Sequence, residues 1–412
     1  DVCSSDLAYM AKTGGADYEK ARNRETVKAR RYIITSAMNG TPVFAEFFQN
    51  ILSYAEHLSA ELYVVATRYK NPTSIFTDRS ADIWVKEVVP YLDANRHDIH
   101  KYVSIMSDIK IQPTDNNPLS GVEGMSDIKS CIFGHPRVHM KFLPVFKNSK
   151  PKVMMTTGSV TLPNYTDSKS GAKGEFHHTY GFVIVEIKDD ETFFIRQVTA
   201  SSDGSFIDTG IQVKDGIISE APAPLALDLG DIHTAKLTAN SIARMSQIIS
   251  EFNPPVVVMH DVFDGESINP HEQNNPVGQY EKCINGKNDL ASEIELTMSF
   301  LSTISSLAPR VVITKSNHDD FLDRYVANMD WRKDIQNAET YAKLASVALS
   351  GNAKKGLFPY LVEERFDSVK CLDVDESFIV AGIELGNHGH IGANGSKGSP
   401  NQFRRLSAKQ VT

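Results

Sequence analysis

Three polar segments, each placed directly after an apolar run, constrain this chain more than any other feature. Gly230-Asp231-Ile232-His233 follows the run at residues 225–229. His260-Asp261-Val262-Phe263-Asp264-Gly265 follows 256–259, and Ser316-Asn317-His318-Asp319 follows 311–313. Short apolar runs bounded by polar loops read as buried strands. The sequence therefore predicts an α/β fold with an Asp-x-His, an Asp and an Asn-His pair on loops at strand C-terminal ends. In open α/β sheets that edge binds ligands. Carboxylate, imidazole and amide oxygen form a mixed donor set suited to divalent metals. One carboxylate can bridge two ions, and an ion pair can clamp a phosphate ester for in-line attack by a bound hydroxide.

The order D-x-H, G-D-x-x-D-G, G-N-H-D/E resembles the signature of the calcineurin-like metallophosphoesterases. His260 and Ser316 stand where that family usually has Gly. The alternative is a set of polar loop tips without metal, and three motifs in order weigh against it. The resemblance implies an N-terminal α/β domain followed by a metallophosphoesterase β-sandwich flanked by helices. It implies two divalent ions, manganese first and iron or zinc next. Asp231 and His233 would hold one ion, Asn317 and His388 the other, and Asp261 would bridge both. His318 would be the general acid and Asp319 its orienting partner, while Asp264 would fix its own loop.

The family's last two elements are a His after a later strand and a G-H-x-H. Residues 378–385 read as a strand leading into Gly386-Asn387-His388-Gly389-His390. Either His388-Gly389-His390 is the final motif, or His388 is the fourth-motif ligand and the fifth is absent. The second assignment is preferred, because no His lies between His318 and His388. His390 is then a further candidate donor. The stretch from His388 to Ser399 is similar to a glycine-rich segment of a phage subgroup of this family. In that subgroup the next strand leads to G-H-x-H, so the chain is expected to be truncated at its C-terminus. Asn71-Pro72-Thr73-Ser74-Ile75, Ile132-Phe133-Gly134-His135-Pro136, Asn164-Tyr165-Thr166-Asp167-Ser168-Lys169 and Gly174-Glu175-Phe176-His177-His178-Thr179 also resemble the subgroup. Its association with early DNA transfer and degradation implies DNA as substrate and a nuclease activity. A nucleotide phosphomonoesterase and a scaffold with a vestigial metal site are the alternatives.

A length of 412 residues favours two domains. A net charge of -8 argues against a wholly basic nucleic-acid coat but leaves room for a local basic groove. Four scattered cysteines without a C-x-x-C pair suit a reducing, cytoplasmic setting and argue against a thiolate zinc site. No apolar run approaches the length of a membrane span. Residues 219–224 alternate Ala and Pro and read as a stiff linker between an N-terminal domain at 31–218 and the domain at 225–412. Strands are expected at 32–36, 62–66, 152–155, 182–187 and 193–198. A helix is expected at 43–58, making a parallel βαβ unit with the first two strands.

Residues 8–30 read as a basic helical lead-in, with Lys20 to Arg31 as a solvated face in preference to a nucleic-acid contact. Residues 1–7 resemble a translated sequencing adapter and are set aside as non-native. His177 and His178, near Asp167 and Glu175, are candidates for a second metal or catalytic site. Their plainer reading is a strand entry with one ring packed and the other solvated, since adjacent strand residues face opposite ways. Gly171 and Gly174, with Lys169 and Lys173, read as a flexible turn without Walker spacing.

Overall fold

The computed structural model describes residues 16–69, 83–272, 275–374 and 376–388, and the backbone of Gln410–Val411. The chain forms two compact units, Asp1–Pro222 and Ala223–Thr412. The fold is mixed α/β. Among the described residues no helix is long and apolar enough to cross a membrane.

Unit 1 opens with a helix at residues 16–22 (α1), followed by β1 (Arg31–Met38), α2 (Ala45–Leu58) and β2 (Glu61–Thr67). β1 and β2 pair in parallel, from Tyr32↔Glu61 to Met38↔Thr67. Both strands are buried on both faces, which is why they read as continuous apolar runs. Their side chains nonetheless divide by the two-residue period. Ile33, Ala37, Leu62 and Val64 pack against Phe47, Ile51 and Tyr54 of α2. Tyr32, Ile34, Tyr63 and Val65 face a second sheet. Each buried Phe or Ile contributes about 1.5–3 kcal/mol relative to exposure. α2 ends where Ser59 turns left-handed (φ 50°) and its N–H caps the Ala55 and Glu56 carbonyls.

The remaining strands of unit 1 are β3 (Leu92–Asp93), β4 (Arg96–His100), β5 (Val103–Met106), β6 (Ser130–Phe133), β7 (Met140–Leu143), β8 (Lys152–Thr156), β9 (Gly181–Asp189), β10 (Thr192–Thr199), β11 (Phe206–Asp208), β12 (Ile211–Lys214) and β13 (Ile217–Glu220), with α3 at Lys169–His177. They make five-stranded sheets in the orders β10-β9-β1-β2-β3 and β4-β5-β6-β8-β7, and a three-stranded meander β11-β12-β13. Ile105, Ile132 and Met155 of the second sheet meet Tyr32, Ile34 and Val183 of the first.

Unit 2 is built on four parallel strands: β14 (Leu227–Leu229), β15 (Val257–Met259), β16 (Val311–Ile313) and β17 (Val369–Cys371). Their registers align Leu229, Met259, Ile313 and Cys371 along one edge. Helices α4 (Ala239–Phe252), α5 (Pro276–Ile284), α6 (Leu290–Leu307), α7 (Phe321–Asn328), α8 (Ala338–Ser350) and α9 (Leu357–Glu363) occupy the connections. Ile249, Leu301, Leu322, Leu344 and Leu357 from five of them cover the face that carries Val257, Met259, Val311 and Ile313. On the other face Val258, Val312 and Leu372 meet Phe378, Val380, Ile383 and Leu385. These last residues belong to the segment of β18 (Ile379–Val380) and β19 (Ile383–Glu384), which form a small sheet with β20 (Gln410–Val411).

Several expectations are corrected. Residues 378–385 form a hairpin rather than one strand, because Ala381 and Gly382 both take positive φ (50° and 84°), as a tight two-residue turn requires. The basic lead-in is helical only to Arg22. Residues 24–29 are non-helical, tied down by Arg24 to Glu61 at 2.7 Å and by Thr26 Oγ1 to His97 Nδ1 at 2.8 Å. Backbone N–H groups of Val27 and Ala29 donate to the Tyr63 and Tyr32 hydroxyls. Ser219 and Glu220 pair in β13, so that part of the expected linker belongs to a sheet. Gly171 and Gly174 lie in helix α3, not a flexible turn. A Cβ at Gly171 would lie 1.9 Å from the Thr166 carbonyl, so close helix packing explains that glycine. The adapter-like residues 1–7, Asn71–Ile75, residues 389–409 and Thr412 lie outside the described residues.

Candidate metal centre

The aligned edge of unit 2 carries its polar loops in register. His260 N–H donates to the Leu229 carbonyl, and the loop after β14 then runs against the loop after β15. Ile232, His233 and Thr234 N–H groups donate to the carbonyls of His260, Asp261 and Val262 at 2.8–3.1 Å. Thr314 N–H donates to the Met259 carbonyl, extending this lacing to the third loop. Asp231, His233 and Asp261 all adopt left-handed backbone, with φ of 49°, 46° and 48°. Such conformations are uncommon outside glycine and cost of order 1–3 kcal/mol each. Hydrogen bonds through the residues of both loops hold them there.

Asp231, His233 and Asp261 bring one donor atom each to within 4.8 Å of one another, and so do His233, Asp264 and His318. His388 joins from the hairpin side, its Nε2 3.1 Å from Asp261 Oδ2. His233 Nε2 is 3.9 Å from the same oxygen. Asp261 and Asp264 are buried, His233 and His318 half-buried, and Asp231 exposed. Burial pushes the Asp261 carboxyl upward, but hydrogen bonding and charge from His388, with the Ser316 hydroxyl, hold it well below the usual range. Burial also opposes charging of His388, and the hydrogen bond and charge of Asp261 outweigh it and raise the imidazole.

His318 Nδ1 lies 2.7 Å from the Asp264 carbonyl, so that nitrogen donates and Nε2 stays uncommitted among the described residues. The ring packs 4.8 Å from His233 and 4.8 Å from Phe321. The Asp264 backbone thus orients His318, a role the sequence reading gave to Asp319. Asp319 instead accepts the Ser316 N–H at 2.9 Å and shapes its own loop. Its carboxyl, fully enclosed, is pushed up to about 7 by burial. Asp264 does more than fix its loop: its side chain reaches His233 Nδ1 at 2.7 Å and Lys236 Nζ at 3.0 Å. The His233 contact is close but lacks hydrogen-bond alignment, and Nδ1 has no hydrogen-bond partner. Asn317 sits half-buried on the loop between Ser316 and His318. His390 lies outside the described residues.

Three buried side-chain atoms in unit 2 lack a hydrogen-bond partner among the described residues: His233 Nδ1, Asp261 Oδ1 and Asp319 Oδ1. All three belong to these loops. An unmet buried polar group costs about 1–3 kcal/mol. Two donors about 2.1 Å from a common cation lie roughly 3–4 Å apart, which matches the Asp261–His388 and Asp261–His233 separations. The residues therefore fit a divalent ion. His177 and His178 do not make a comparable cluster. They end helix α3 rather than begin a strand. His178 has its Nδ1 on the Tyr165 hydroxyl at 2.9 Å and its Nε2 on the Thr161 carbonyl at 2.8 Å.

The sequence reading missed two neighbours of this centre. His260 Nε2 is 3.2 Å from Asp228 Oδ1, and His260 Nδ1 is 3.4 Å from His388 Nδ1. His260 had registered only as a departure from Gly, and Asp228, inside the run read as apolar, was not singled out. Asp228 pairs with Val258, and the two-residue period carries that face on to His260. That juxtaposition needs the pairing register, which the sequence does not print.

No protein-family model matches this chain, and no solved structure matches it. The chain is similar to a protein named "Protein A1" of Escherichia phage T5, with 28% identity across 93% of this chain and 73% of that protein.

Proposed function

We propose that unit 2 is a metal-dependent phosphodiesterase of the calcineurin-like type, and that its substrate is DNA. The observation that carries this reading is the convergence of Asp231, His233, Asp261 and His388 on one sheet edge, with buried donor atoms left unsatisfied there. Asp231 and His233 would hold one ion, Asn317 and His388 a second, and Asp261 would lie between them. Manganese is the first candidate, and iron and zinc suit the same donors. When bound, the ions would activate water and offset the phosphate's negative charge. The chain's own residues do the rest. Asp261 holds the two halves of the donor set together. The Asp264 carbonyl accepts from His318 Nδ1–H and so turns the ring. In its imidazolium form His318 carries a second proton on Nε2, which it would give to the leaving oxygen, returning to the neutral ring. Proton transfer of this kind typically contributes 10²–10⁴-fold. The parallel sheet with helices on one face and a small sheet on the other is consistent with the layered architecture this reading expects. Similarity to a phage protein supports a phage setting, and DNA is proposed on the resemblance of the sequence motifs to phage proteins of early DNA transfer.

The test is metal analysis of the purified chain, followed by assays on plasmid DNA and on mononucleotides with added Mn²⁺. Cleavage of plasmid without phosphate release from mononucleotides supports the nuclease. The reverse outcome makes the protein a nucleotide phosphomonoesterase. Failure to bind any transition metal makes the site vestigial.

A further inference from the structure

We infer that His260, with Asp228 behind it, is a positioning residue that fixes the ring of His388 for metal binding. This rests on the metal reading proposed above for the same centre. Four side chains form a line: Asp228 Oδ1 to His260 Nε2 at 3.2 Å, His260 Nδ1 to His388 Nδ1 at 3.4 Å, and His388 Nε2 to Asp261 Oδ2 at 3.1 Å. The chemistry of the line sets its direction. Asp228 Oδ1 stands at charge-contact distance from His260 Nε2, and a carboxylate, which can only accept, favours a proton on the nitrogen that faces it. His260 Nδ1 is then a lone pair and accepts from His388 Nδ1–H. That leaves His388 Nε2, the atom beside Asp261, as the nitrogen able to bind a cation. Metal-ligating histidines are commonly oriented in this way through their second nitrogen. Here the orienting group is a second imidazole.

The fold supports the arrangement independently. His260 is buried and packs 5.6 Å from the His388 ring. Its backbone is fixed by the His260 N–H to Leu229 and the Ile232 N–H to His260. His388 follows the hairpin on the same sheet face as Val258, the partner of Asp228. A glycine at position 260 would leave His388 without this partner.

The experiment compares the full chain with His260→Ala and His260→Asn. Mn²⁺ affinity is measured by calorimetric titration, and the ring nitrogens are read by ¹⁵N NMR on the Zn²⁺-loaded, histidine-labelled protein. Wild type should show His388 bound through Nε2 with Nδ1 protonated, and His260 protonated on Nε2 with no metal bond. His260→Ala should weaken Mn²⁺ binding about 10–100-fold. His260→Asn, whose amide oxygen replaces the Nδ1 acceptor, should bind close to wild type. Unchanged affinity in His260→Ala, or equal weakening in both variants, overturns the positioning role. A metal-bound nitrogen on His260 also overturns it, by making His260 a ligand. Wild type that binds no metal fails at the earlier step and removes the metal reading itself.

Discussion

Three histidines of unit 1 and three of unit 2 sit in opposite surroundings. In unit 1, His97 lies between Thr26 and Asp93, His135 between Gln112 and the backbone of Arg137, and His178 between Tyr165 and Thr161. Both ring nitrogens of each are closed off by the protein. In unit 2, His233, His318 and His388 crowd around Asp261 and Asp264, and His233 Nδ1 lacks a hydrogen-bond partner. Unit 1 also has buried polar atoms without a partner among the described residues, on Asp17, Asp93, Ser107 and His139. They lie on separate elements. In unit 2 the three such atoms share one sheet edge. The histidines' surroundings therefore separate fully hydrogen-bonded rings from the rings of the candidate metal centre more clearly than their neighbours in sequence do.

The most severe test of the contrast is Asp261→Asn. Removing the central charge should abolish metal-dependent hydrolysis while the circular dichroism spectrum stays native. Activity within a few-fold of wild type would end the two-ion reading. Next comes His318→Asn, which should lower turnover about 10²–10⁴-fold and leave metal content unchanged. Inductively coupled plasma analysis beside the assay decides it, since metal loss would make His318 a ligand rather than an acid.

Unit 1 should show the opposite behaviour, a dependence on pH rather than on metal. Burial holds the imidazoles of His135 and His178 down to about 4, against about 6.5 in an unfolded chain. As pH falls, the unfolded chain takes up these protons first. The stabilisation is present in full above pH 6.5, is lost progressively toward pH 4, and levels off below. Each site accounts for about 3 kcal/mol. Urea unfolding followed through the buried Trp84 should lose stability across that window, and His178→Gln should reduce the slope. A flat profile would contradict the buried-neutral description.

The smallest expected effect contrasts two glycines. Gly171→Ala would press a Cβ onto the Thr166 carbonyl and should cost about 1–3 kcal/mol. Gly230→Ala, in front of Asp231, meets no atom within 4 Å and should leave thermal stability nearly unchanged. A large loss at Gly230 would show that the Asp231 loop needs glycine after all.

Strands buried on both faces were legible because the apolar run is itself the signal: β1, β2, β15 and β16 fall on valine- and isoleucine-rich stretches. β17, with Lys370 at its centre, gave no such run and was missed. The second sheet of unit 1 was largely missed too, because Arg96–His100 has Ile99 as its one apolar residue and Met140–Leu143 is interrupted by Lys141, so neither makes a run. The hairpin at 378–385 was taken for one strand because Ala381 carries no turn signal before Gly382.

The sequence by itself marked the candidate metal-binding residues and determined that they follow buried strands. Only the tertiary structure decided how their side chains are oriented. It gave the orientation of His318 to the Asp264 carbonyl rather than to Asp319, tied His178 into a helix end, and set His260 between Asp228 and His388. The physical reason is that donor chemistry belongs to a residue. Which nitrogen faces the site is set by hydrogen bonds from elements far apart in the chain.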